Sequence, residues 1–78
     1  MIPEFERAVL LEDIPELGFK AGDIGVVVDI HRGGAGYELE MMTADGHTLD
    51  VITVHAHQIR AVTRRDMLHV REVESGAA

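Results

Sequence analysis

An all-β fold, a small barrel of five to six short strands, follows from three features of the sequence. β-Branched and apolar residues recur in short runs of four to eight, the length of strands. Glycine-rich punctuation separates the runs, at "LGFKAGD", "RGGAG" and "TADGH". The segment "YELEMM" alternates apolar and acidic residues with period two, as a half-buried strand does.

"RAVLLED" (7–13) opens the set, with Val9 and Leu11 expected on one face. "DIPELGFKAGD" (13–23) carries Pro15, Gly18 and Gly22 and is expected to be an irregular loop. "IGVVVDIH" (24–31) is the second strand, with Val26, Val28 and Ile30 expected inward. "RGGAG" (32–36) is a hairpin loop. In the third strand (37–42) Tyr37, Leu39 and Met41 face the core, and Glu38 and Glu40 face outward. Asp45-Gly46 fits a three-residue hairpin loop with Gly46 in the left-handed position. "TLDVITV" (48–54), a tight turn "HAHQ" and "IRAVT" (59–63) complete five strands, and "MLHVREV" (67–73) reads as a sixth strand or one short helix, with strand favoured. One irregular loop after the first strand and a turn before the last describe an SH3-like barrel. Residues 1–74 are expected to form this single domain and 75–78 a flexible tail.

Seventy-eight residues lie near the lower limit for one hydrophobic core. The absence of cysteine excludes disulfides, zinc–thiolate sites and thiol catalysis. No apolar run approaches the roughly 18 residues of a spanning helix, and "MIPEFER" has no secretory pattern. A cytoplasmic, bacterial-type protein without membrane contact is expected. The net charge is −7 and uneven: residues 1–50 hold eleven acids against three bases, whereas 51–78 hold three acids against four arginines. Such a surface repels phosphate backbones, so no nucleic acid is expected, and a basic protein partner fits better.

Gly22 and Gly25, in "AGDIG" ahead of the second strand, have no following helix, so no phosphate-binding loop is implied. They are expected to serve strand entry, through positive φ or close backbone approach. The pattern is also similar to the glycine signature of KOW-type domains, which would imply a nucleic-acid-associated module. The stretches "VLLEDIPELGFKAGDIGVVVDI", "YELEMMTADGHTLDVITV" and "QIRAV", together with the tail "RRDMLHVREV", resemble the small bacterial domain-of-unknown-function family 4926. The most specific pieces are Asp13-Ile14-Pro15-Glu16, Gly22-Asp23-Ile24-Gly25 and Tyr37-Glu38-Leu39-Glu40. This resemblance implies an SH3-like fold, no established activity and, more loosely, genes of toxin–antitoxin or defence type nearby. A looser similarity to the SH3-like part of nitrile hydratase β subunits implies a structural, accessory role.

Closing the second hairpin over Gly33–Gly36 pairs Ile30 with Leu39 and Val28 with Met41. That register sets Asp29 against Glu40 and His31 against Glu38, both outward. Closing the next hairpin sets Asp50 against Glu40 and leaves Ile52 outward. Asp29, Glu40 and Asp50 then form one cross-strand row flanked by Glu38 and His31. Like charges directly opposite are destabilising, so the row is a candidate for meeting arginines or lysines, or a hard cation; an acidic protein also simply solvates its acids. His55 and His57 are weak metal candidates without an evident third ligand. The only serine is Ser75, and a barrel this small has little room for a pocket, so an enzyme is not expected, nor a cofactor. Without tryptophan and with one tyrosine, the chain also lacks the aromatic groove of a polyproline binder. The basic C-terminal quarter, with Arg60, Arg64, Arg65 and Arg71, is expected to balance the acidic half within a monomer or across a homo-oligomer. The sequence therefore reads as a non-catalytic, antitoxin-like or accessory module for a basic partner, with a KOW-like nucleic-acid-associated module as the alternative and a small metal-binding protein as the third reading.

Overall fold

The computed structural model describes residues 1–73. It is an all-β domain with β1 (Arg7–Leu10), β2 (Ile24–His31), β3 (Gly36–Met42), β4 (Thr48–His55) and β5 (Ile59–Ala61). All pairings are antiparallel, in the order β4-β3-β2-β1-β5, so β4 and β5 are the edges of one curled sheet. The core centres on Leu10, Val27, Leu39, Met41 and Val54, with Ile14 and Phe19 contributed by the long loop.

That loop is irregular, as its proline and glycines require. Pro15 opens a single 3₁₀ turn, Pro15–Leu17, and a bridge between Ile14 and Phe19 folds both apolar side chains inward. A second 3₁₀ turn, Ala56–Gln58, leads from β4 into β5. In β3 the predicted alternation holds: Tyr37, Leu39 and Met41 are buried.

Two bulges change the expected registers. The β2–β3 loop closes over Arg32–Ala35, pairing Ile30 with Tyr37 and Asp29 with Glu38. A register shift between Val27 and Asp29 then reverses the facing of β2, so that Val27 meets Leu39 in the core and Val26 meets Glu40 outside. Val26 and Val28 are therefore not core residues, contrary to expectation. The β3–β4 hairpin begins as predicted, with Met42 against Thr48 and Gly46 at φ 93° in the turn. A second shift pairs Leu39 with Ile52 and Glu40 with Val51. A slip of one residue exchanges the two faces: Ile52 is 3% exposed, not outward, and Val51 is 48% exposed.

In β1, Ala8, Val9 and Leu10 are buried and Leu11 is exposed, so the expected pairing of Val9 with Leu11 on one face fails. β5 ends at Ala61, and residues 67–73 form neither a strand nor a helix. They run as an irregular tail that lines a cleft together with Arg7 and Val9 of β1 and Ile24 and Val26 of β2. The predicted domain end at residue 74 and flexible tail 75–78 lie outside the described residues.

Candidate functional site

The outward face of β2, β3 and β4 carries two cross-strand rows, Asp29–Glu38–Thr53 and Val26–Glu40–Val51. The predicted row Asp29–Glu40–Asp50 is not formed. The two bulges move Asp29 beside Glu38 and put Val26 and Val51 on either side of Glu40; Asp50 pairs with Met41 and is exposed next to the second bulge. Flanking Glu40 with valines removes both like-charge oppositions that the predicted row would have given it, while Asp29 still faces Glu38.

Each carboxylate of the face has a local role. Glu38 Oε2 lies 2.9 Å from His31 Nε2 and accepts a 3.0 Å hydrogen bond from the Thr53 hydroxyl. The His31 contact, then that of Thr53, holds the Glu38 carboxyl below the usual carboxylate range. Glu40 Oε2 accepts from the Thr48 hydroxyl at 2.6 Å. Asp29 Oδ1 accepts the Ile30 amide at 2.9 Å, and Asp50 Oδ1 the Val51 amide at 2.8 Å. Among the described residues, none of Asp29, Glu40 and Asp50 forms an ion pair.

The arginines are used elsewhere. Arg60 and Asp66 meet through two hydrogen bonds of 2.9 and 2.7 Å. Asp66 also accepts the Thr63 amide at 2.7 Å, and the Arg60 hydrogen bond followed by this one places its carboxyl far below the ordinary range. Arg71 reaches back across the chain: its Nε donates to Asp23 Oδ1 at 2.8 Å and its Nη2 to the other oxygen. Burial pushes the Asp23 carboxyl up, but Arg71, the Lys20 amide and the two cationic charges together bring it below its usual value. The C-terminal arginines thus tie the tail to the body at both ends. Beneath the tail lies a cleft of about 570 Å³ whose floor includes Val9, Ile24, Val26 and Met42. The sequence pattern does not disclose the Arg71 anchor, because 48 residues separate it from Asp23.

Gly22 and Gly25 stand at the entry to β2 for different reasons. Gly22 has φ 95°, and its amide donates to the Leu10 carbonyl at 2.8 Å. Gly25 has no room for a β-carbon, which would fall 2.6 Å from Met41 Sδ and 3.1 Å from the Glu40 carbonyl oxygen. His55 and His57 stack across the 3₁₀ turn with ring centroids 5.5 Å apart. His55 belongs to a reciprocal cap, its amide donating to Gln58 Oε1 at 2.8 Å while the Gln58 amide donates to its side chain. No group of three or more potential metal-ligating side chains occurs among the described residues, and no helix there is long and apolar enough to cross a membrane.

Neither a curated protein nor a solved structure matches the chain. A family model does match it from residue 4 to residue 61, which takes in all five strands and both glycines of the β2 entry, and stops before the tail. On that match the chain belongs to the family described as Domain of unknown function (DUF4926).

Proposed function

We propose that this domain is a non-catalytic binding module, an antitoxin-like or accessory subunit, that engages a basic protein through the outward face of β2–β4. The observation that carries the reading is the distribution of counter-charges. Arg60 and Arg71 are bound to Asp66 and Asp23, while Glu40, Asp29 and Asp50 remain without a cationic partner among the described residues, next to the exposed side chain of Val51. Mixed apolar and acidic surface suits a partner that brings lysines or arginines around a small apolar contact. The same distribution weighs against nucleic acid, because two of the four C-terminal arginines are already neutralised within the domain.

The test is affinity capture from the native host with the wild-type domain and with a Glu38→Lys/Glu40→Lys variant, the captured proteins being identified by mass spectrometry. Capture of a basic protein by the wild type and its loss with the folded variant is the expected outcome. Capture of the same proteins by both would contradict the role of this face.

A further inference from the structure

Phe5 is displayed to solvent on a backbone that a phenylalanine ordinarily avoids. The Glu6 amide donates to the Pro3 carbonyl at 3.2 Å, closing a turn in which Phe5 is the third residue with φ 71°. Glycine or asparagine usually takes that position, because a β-carbon crowds the following carbonyl. The turn is fixed from both sides, the Phe5 amide donating to the Val27 carbonyl at 2.6 Å and the Val27 amide to the Glu6 carbonyl at 2.9 Å. The side chain gains little burial in return, being 72% exposed. The fold therefore has no need of an aromatic ring here, and a strained position that displays one is a sign of use.

The surroundings define what the ring would meet. Phe5 walls a shallow cavity of about 300 Å³ together with Ile2, Pro3, Ala61 and Val62, a space suited to one long side chain. Glu4 and Glu6, both exposed, flank the ring in sequence, with Arg7 as the one cation among the cavity's residues. A guanidinium is planar, stacks on an aromatic face and pairs with carboxylates at its edges. We infer that Phe5, with Glu4 and Glu6, forms a docking point for an arginine side chain of the partner protein, its methylene stem lying in the cavity against Ile2, Pro3, Ala61 and Val62. This rests on the proposed basic partner and specifies its chemistry at a second place on the domain.

The test is a titration of the isotope-labelled domain, followed by nuclear magnetic resonance, with a capped peptide of alternating arginine and glycine and with its lysine and leucine counterparts. The arginine peptide is expected to shift the amides of Glu4–Arg7, Ala61 and Val62, and its own side-chain methylene signals should move upfield under the ring current of Phe5. Phe5→Gly should weaken this binding at least tenfold while leaving the thermal midpoint unchanged or higher, since glycine relieves the strain. Phe5→Leu, which keeps bulk without the π face, should lose the same binding. Shifts confined to Glu38, Glu40 and Val51 would overturn the arginine site and leave the proposed basic partner standing. Equal binding of the leucine peptide at Phe5 would also overturn it, and an absence of shifts anywhere would count against both.

Discussion

Met41 Sδ occupies the space that a β-carbon on Gly25 would need, and the Glu40 carbonyl closes the other side. At Gly22 the space is open and the constraint is the backbone itself, with φ at 95°. Two glycines three apart thus serve one purpose, strand entry, by two mechanisms. Gly22→Ala is expected to cost about 1–2 kcal/mol from left-handed strain. Gly25→Val must displace Met41 and shift the β3 backbone, an overpacking cost of about 1–3 kcal/mol or more. In a domain whose core supplies on the order of 3–5 kcal/mol, either change should lower the thermal midpoint clearly, with Gly25→Val the more severe. A Gly25→Val variant as stable as the wild type would show that β2 and β3 do not approach as closely as described. The need for glycine was legible in the sequence, whereas its reason at each position depended on what β3 brings beside it.

Elements differ in how much of their geometry the sequence discloses. In β3 a large apolar residue alternates with glutamate, so only one face can enter the core, and Tyr37, Leu39 and Met41 are buried as read. β2 contains Ile24, Val26, Val27, Val28 and Ile30, which would suit either face, and nothing in that run marks the bulge between Val27 and Asp29. β4 hides its bulge in the same way, because Leu49, Val51, Ile52 and Val54 supply apolar side chains for both registers. The acidic row drawn by counting from the turns therefore failed, although Glu38 and Glu40 were placed on the correct face.

The tail is an element without secondary structure, and its two arginine–aspartate pairs decide where it lies. Both aspartates titrate below their ordinary values, so the pairs stabilise the attached tail above the unfolded aspartate pKa of about 3.9, and this contribution fades as pH falls through the lower folded values. Acidification below about pH 4 should therefore loosen the tail, and the Asp23–Arg71 end should release before Asp66, which is held farther down. Hydrogen exchange or resonance line shapes of residues 67–73, followed from pH 6 to pH 2, would check this order. A tail equally protected throughout would mean that contacts other than the ion pairs hold it. Asp66→Asn should reproduce the loosening of its end at neutral pH.

At the scale of the molecule, a charge of −7 on 78 residues biases encounters toward cations. The family match spans residues 4–61 and so takes in the five strands and not the arginine-tied tail. With Arg60 and Arg71 occupied in holding the tail, Asp29, Glu40 and Asp50 on the β2–β4 strands are left without an ion pair among the described residues. Attraction of that kind acts on association rates and is screened by salt over a Debye length of about 10 Å at 0.1 M. The most direct measurement is the association rate of the captured partner with wild-type and Glu38→Lys/Glu40→Lys domains over a range of ionic strength. A wild-type rate that falls steeply with salt, together with a slower and flatter response in the variant, is expected. A rate indifferent to salt and to the substitutions, with the variant folded by circular dichroism, would contradict an acidic docking face.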